Sequence, residues 1–475
     1  MASQTKKIAF DTAALLSGKA IGLILGIVRL NYLTTYLGVE GFGILNFALY
    51  FSSLFQVLFD IGVAQITIRE IAQRPSQSRE LVGTVLILKI LISVFATIVI
   101  CGAAVAFRFD EVTMMAVGFT TVSLAFTGIS AVFLAAFQAH RQMGLVSASA
   151  VANDLLLSVA VIALIGQFPF VSTVLELTVV VSIANLVVLL VLYTIKQGAP
   201  ILRADAALWK ALLHESAPIA VSSVGISFYT FAGPTILRSV RGNDEVGIYS
   251  AGYKIISVLT LLPAALSQVV YPIFADFFVT AREKLQKALT DSLRIMLQLS
   301  MPTAVVLTVL APEIISAIYP ETFSGAAPVL RLMVTGNALG FLAWILTAFL
   351  LATNHQRYCM WTSLGVAAAS TLANLFLVPK FGYLGVATIG MATDIVLFFS
   401  LSLFSSAAGY SALRGIRFVR VFTASAALAA VMVGLKPFSV PLALVAGATS
   451  YVGILAVSGA MGEQEKELLR KLFQK

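Results

Sequence analysis

TAALLSGKAIGLILGIVRLNYLTTY, residues 12–36, decides the fold class. A membrane helix needs about 20 mostly apolar residues, and this run is long enough even with two basic side chains inside it. Comparable runs recur along all 475 residues, with short polar breaks between them. The chain is 59% hydrophobic and only 11% charged, with a mean hydropathy of +0.97. Soluble domains carry about 25% charged residues, so the composition excludes a water-soluble enzyme. The fold class is all-α and polytopic. Fourteen spans are expected, near 12–36, 42–66, 82–107, 113–138, 144–166, 171–195, 215–238, 246–272, 293–318, 328–352, 358–378, 384–407, 419–435 and 439–460. The count falls to twelve if the last pair, interrupted by Lys436 and Pro437, is discounted.

The first seven residues lead straight into a full-length span, without the compact apolar core and cleavage site of a secretory signal. Cys101 and Cys359 lie in or beside different spans and define no disulfide framework. The net charge of +9 invites a nucleic-acid reading, but its distribution argues for topology instead. With an even number of spans, most of the 31 Lys and Arg residues fall on the side of the two termini. Only Arg108, Arg238, Arg241, Arg331, Lys380 and Lys436 fall on the other side. By the positive-inside rule, both termini of the multi-pass chain are expected in the cytoplasm, and no nucleic-acid partner is expected.

Glu40-Gly41-Phe42-Gly43-Ile44-Leu45-Asn46 is echoed 204 residues later by Asp244-Glu245-Val246-Gly247-Ile248-Tyr249-Ser250. Ala139-His140-Arg141-Gln142 has a counterpart in Asn354-His355-Gln356-Arg357. Six spans separate equivalent points, so a parallel repeat of two six-helix lobes about a pseudo-two-fold axis is expected, with the substrate path between them. The expected organisation is an N-terminal lobe over 1–197 and a linker over 198–213. A C-terminal lobe follows over 214–408, then two extra helices and a tail over 409–475. The tail from Gly462 reads as an amphipathic cytoplasmic helix.

No GxxxxGK[ST] phosphate loop, zinc-type histidine pair or nucleophile elbow is present. What remains is charge within spans. Lys19, Arg29, Lys89 and Lys254 each cost about 2.5–3.5 kcal/mol near a bilayer centre on insertion scales, which points to an interior that handles an anion. Lys19 and Arg29 are about 15 Å apart along one helix and about 80° around it, so both can face one cavity. Gly18, Gly22 and Gly26 on that helix offer a groove for close packing. Lys89 and Lys254 are also placed to snorkel to an interface. Asp60, Asp154 and Asp394 are read as salt-bridge partners or as sites for a coupling proton or sodium ion; no other cofactor is expected. Pro234, Pro263 and Pro302 mark spans that bend.

Tyr36-Leu37-Gly38-Val39-Glu40-Gly41-Phe42-Gly43-Ile44-Leu45-Asn46-Phe47-Ala48 closely resembles the first block of bacterial polysaccharide flippases. Phe59-Asp60-Ile61-Gly62 and Ile68-Arg69-Glu70-Ile71-Ala72 resemble the same family, as does Val246-Gly247-Ile248-Tyr249-Ser250-Ala251-Gly252-Tyr253-Lys254. These are the Wzx exporters of the multidrug/oligosaccharidyl-lipid/polysaccharide (MOP) superfamily. The resemblance covers essentially the whole chain. It implies a flippase, not an enzyme, that moves undecaprenyl-diphosphate-linked oligosaccharide to the outer leaflet by alternating access. Lys19, Arg29 and Lys254, with Lys89 less securely, would be cavity cations, while Asn31, Tyr32, Tyr249 and Tyr253 would contact sugars. Membrane lipid, a polysaccharide polymerase and chain-length machinery would be partners. A flippase for peptidoglycan precursor or teichoic acid stays open, since those substrates also carry prenyl-linked phosphate. A cation-coupled multidrug antiporter fits less well, because it should favour acidic cavity residues.

Overall fold

The computed structural model describes residues 2–59, 62–415 and 417–459, with side chains omitted at 2–21, 23, 24, 218 and 219. Asp60 and the expected tail helix lie outside the described residues. Helix dominates, and no strand occurs among the described residues. The chain forms two compact units. The first comprises residues 1–248 with 318–323, and the second 249–317 with 324–475.

The first unit contains α1 (Ala2–Leu54), α2 (Gln56–Phe59), α3 (Val63–Gln73), α4 (Ser78–Ala106), α5 (Glu111–Ala139), α6 (Met143–Ile165), α7 (Val171–Gln197) and α8 (Ala206–Arg241). It ends within α9 (Asn243–Leu259). The second unit continues through α10 (Leu261–Thr280), α11 (Arg282–Val309), most of α12 (Ala311–Ile318), α13 (Ala326–Ala352), α14 (Gln356–Ala407), α15 (Phe418–Leu435) and α16 (Val440–Val457).

Twelve helices among the described residues are long and apolar enough to cross a membrane. Two of these contain a glycine with non-helical backbone, Gly38 in α1 and Gly382 in α14. At Gly382 the positive φ of 56° reverses the chain. A methyl on Gly385 would fall 3.1 Å from the Leu377 carbonyl oxygen, eight residues back, where a continuous helix would separate them by about 12 Å. The expected spans 358–378 and 384–407 are therefore the two arms of α14. α9 stops at Leu259, whose carbonyl is the one that Pro263, lacking an N–H, cannot satisfy. Proline also lies inside α10 at Pro272, α11 at Pro302 and α14 at Pro379.

Outward faces are apolar. Phe95 and Ile98 on α4 are 60% and 65% exposed, and Val445 on α16 is 66% exposed, as suits a lipid environment. Inside the first unit, Val82, Ile71, Phe133, Phe137, Leu189 and Tyr193 form the core. Hydroxyls bridge helices there, with Ser52 to Thr121 at 3.1 Å and Ser123 to Ser182 at 2.7 Å. Such small polar contacts replace the hydrophobic drive that lipid removes. Residues 198–205 dock along α4, with the Ile201 N–H donating to the Arg79 carbonyl at 3.0 Å and Arg79 Nε to the Ala199 carbonyl at 2.9 Å. In the second unit α13 packs against α10, α11 and α14, and its Phe341, Leu346 and Phe349 lie in the core.

Candidate functional site

In the first unit α1 packs along α6 and brings Arg29 to Ser158. The Arg29 Nη1 donates to Ser158 Oγ at 3.4 Å. Asp154, one turn earlier on α6, attracts the guanidinium. The Asp154 carboxylate rests on Gly22, where a methyl would lie 2.9 Å from Oδ2. Ser158 is fully buried, while Arg29 as a residue is half-buried. Lys19 sits on the same helix, but its side chain is outside the described residues.

Asn31 lies on the same helix, two residues beyond Arg29. Its Nδ2 donates to the Ile318 carbonyl at 2.8 Å. Residues 318–323 belong to the first unit although they come from the second half of the chain. They are anchored by Phe323, fully buried and edge-on to Phe42 at 5.8 Å. Tyr32 stacks with Tyr36 at 6.1 Å.

Lys89 does not reach an interface, where the sequence allowed it to snorkel. It is 1% exposed, and its Nζ donates to the Phe59 carbonyl at 2.8 Å. The second expected span is interrupted between α2 and α3, where Gly62 takes a left-handed φ of 77°, and a helix end leaves carbonyls without intrahelical partners. The ammonium satisfies one of them.

In the second unit Tyr249 and Tyr253 stack on α9, with centroids 5.8 Å apart and planes 12° from parallel. Tyr249 is buried, and Lys254 occupies the next position after Tyr253, half-buried. Asp394 on α14 lies within hydrogen-bond reach of Asn337 Nδ2 on α13, at 3.4 Å from its Oδ2. It packs on Gly340, where a methyl would fall 2.8 Å from the carboxyl carbon. The Tyr253 hydroxyl is close enough to feel the Asp394 charge. Asn337 Oδ1 is buried without a hydrogen-bond partner. Asp394 and Asn337 thus form a polar pair inside apolar packing.

One charged constellation escapes sequence reading. Arg238, at the end of α8, pairs with the Asp110 carboxylate, donates to Thr113 Oγ1 at 3.0 Å, and lies 5.1 Å and 4.9 Å over the Phe47 and Phe109 rings. Asp110 also caps α5, accepting from the Thr113 N–H at 3.0 Å. Burial pulls the Asp110 carboxyl up, but the Thr113 bonds and the Arg238 charge outweigh it and hold the group below its usual range. Only the cap is visible in sequence, because Arg238 lies 128 residues away. At the opposite end of α8, Glu215 pairs with Arg69, and that bond holds the exposed Glu215 carboxyl below its usual range.

Among the described residues, no group of three or more His, Cys, Asp or Glu side chains is placed to hold a metal. A multi-pass helical membrane protein with buried charge in its spans is the class that this architecture defines, and its fold is that of MOP-superfamily transporters. The lipid II flippase MurJ, in an inward closed conformation, matches with a TM-score of 0.78 at 14% identity, over 94% of this chain and 98% of that one. An inward-facing multidrug resistance MATE family transporter matches with a TM-score of 0.66 at 14% identity, over 82% of this chain and 95% of that one. The chain belongs to the polysaccharide biosynthesis protein family, whose sequence profile matches residues 8–278. It is 24% identical to the EPS I polysaccharide export inner membrane protein EpsE of Ralstonia nicotianae, over 84% of this chain and 94% of that protein.

Proposed function

We propose that this protein flips undecaprenyl-diphosphate-linked oligosaccharide units from the inner to the outer leaflet of the bacterial cytoplasmic membrane, by alternating access, for polysaccharide or O-antigen biosynthesis. The observation that carries the reading is Arg29, a half-buried cation within a membrane span, held by Ser158 and attracted by Asp154. A lipid diphosphate cannot cross hydrocarbon unaided, and a cation–phosphate pair at 4 Å gains about 4 kcal/mol at an effective dielectric of 20. Guanidinium grips phosphate through two parallel donors, whereas an ammonium such as Lys19 or Lys254 supplies a movable point charge. Tyr253, backed by the buried ring of Tyr249 stacked on it, supplies an aromatic contact for sugar, and Asn31 a further polar contact once its amide leaves Ile318.

Asp394 is the candidate for proton or sodium coupling. A carboxylate enclosed in a membrane domain with an unpartnered amide oxygen nearby is positioned to exchange a cation. The polysaccharide export named for EpsE supports the glycan substrate class. A peptidoglycan-precursor flippase is the second reading, since MurJ shares the fold. The multidrug reading is weaker, because the half-buried cation on α1 suits an anionic cargo. In cells depleted of the native protein, wild type should restore surface polysaccharide and Arg29→Ala should insert normally but fail to do so. Normal surface polysaccharide with Arg29→Ala would rule the anion site out.

A further inference from the structure

At one end of the second unit, five helix ends converge on a cavity of about 650 Å³: the C-terminal ends of α11 and α15 and the N-terminal turns of α12, α13 and α16. Its charged lining is Arg331, Lys436 and Glu313, and its apolar lining includes Val433, Pro437 and Val440. Lys436 Nζ donates to the Val309 carbonyl at 2.9 Å and pairs with Glu313 Oε1 at 2.7 Å, which leaves one ammonium proton unused. Arg331 commits only Nε, to the Thr308 carbonyl at 3.1 Å, so both terminal amino groups remain available. Glu313 Oε2 accepts no hydrogen bond. Burial raises the Glu313 carboxyl, but the Lys436 bond and charge, aided by Arg331, bring it below its usual range, so it is ionised at neutral pH. Two cations therefore face one carboxylate, with donors to spare for an anion.

The location narrows the ligand. The ends of helices that span the bilayer lie at headgroup depth, as those of α11, α13, α15 and α16 do, and cationic pockets between membrane helices accept phosphate headgroups. The charge pattern assigns this end to the side with only six basic residues, and two of those six line this one pocket. Val433, 61% exposed, continues the apolar wall towards lipid.

We propose that this pocket binds the phosphate of a lipid headgroup, gripped by Arg331 and Lys436, with the lipid chain laid over Val433 and Val440. The site is separate from Arg29, so the proposal stands or falls independently of the flipping reading.

Native mass spectrometry of the full chain, released from micelles supplied with phosphatidylglycerol, undecaprenyl phosphate or inorganic phosphate, tests it. Wild type should retain at least one of the two lipids, and Arg331→Gln should retain that lipid about tenfold less, the scale of one lost charge-assisted bond. Glu313→Gln, which removes the competing carboxylate, should retain more. Which lipid is held distinguishes a bilayer phospholipid from a prenyl carrier. Retention of inorganic phosphate alone, or equal lipid retention by wild type, Arg331→Gln and Glu313→Gln, would overturn the proposal. Unchanged thermal midpoints in lipid-free detergent establish that the variants fold.

Discussion

Gly43 and Gly247 stand 204 residues apart at matching positions of two echoing segments, and each lies against the backbone that leads into the other. A methyl on Gly43 would overlap the Asn243 carbonyl, and a methyl on Gly247 would overlap the Val39 carbonyl. Asn243 and Val39 are themselves 204 residues apart, so the two contacts exchange when the segments are swapped, as across a local two-fold axis. Backbones approach this closely in membranes only where side chains are absent.

Gly43→Leu should therefore destabilise the protein by at least the roughly 1–3 kcal/mol typical of overpacking, seen as a lowered thermal midpoint in detergent. Gly247→Leu should behave alike. Gly26→Leu is the control, because nothing lies within 4 Å of a methyl there. If Gly43→Leu and Gly26→Leu melt together, the close approach is not a constraint.

Much of this was legible beforehand, and the reasons differ by feature. Apolar runs reveal spans because a bilayer imposes their length. The reversal at Gly382 separates two runs that sequence already divides. The interruption between α2 and α3 is hidden, since residues 42–66 read as one continuous apolar span. Its companion, the burial of Lys89, was hidden for the same reason: an interior lysine looks alike whether it meets solvent, substrate or an orphaned carbonyl. Arg238 was missed because its carboxylate and both rings arrive from distant helices. Asp154 is visible in sequence as a charge within a span, but only the packing of α6 along α1 shows that Arg29 is the cation it attracts.

Lys89→Met should cost about 1–3 kcal/mol of stability, because it strands the buried Phe59 carbonyl. Arg29→Ala, at a half-buried position, should leave the thermal midpoint close to wild type. Guanidinium denaturation or thermal melting of the two variants in one detergent checks the contrast. A Lys89→Met protein as stable as wild type would contradict the capping role.

Asp110 predicts a pH effect of defined sign. Its folded pKa lies below the unfolded value near 3.8, so its contribution is present in full above that value and is lost as pH falls through the folded pKa. Wild type should exceed Asp110→Asn in thermal midpoint by a constant margin at pH 6–8, and the margin should shrink below about pH 4. A margin that widens on acidification would reverse the assignment.

Asp394→Asn should leave the second unit folded, since asparagine preserves the contact with Asn337, yet should remove the dependence of transport on an imposed ion gradient. Proteoliposomes with a proton gradient in one arm and a sodium gradient in the other separate the two ions. A variant still driven by either gradient as strongly as wild type would exclude Asp394 from coupling.

The most direct measurement is translocation itself. Purified protein is reconstituted into vesicles containing undecaprenyl-diphosphate-linked oligosaccharide, and an added glycosidase reports the glycan exposed on the outer leaflet. The account predicts that wild type brings the protected inner pool within reach of the glycosidase, and that Arg29→Ala slows this at least tenfold without loss of folded protein. A wild-type rate equal to that of protein-free vesicles, or an undiminished rate with Arg29→Ala, would contradict it.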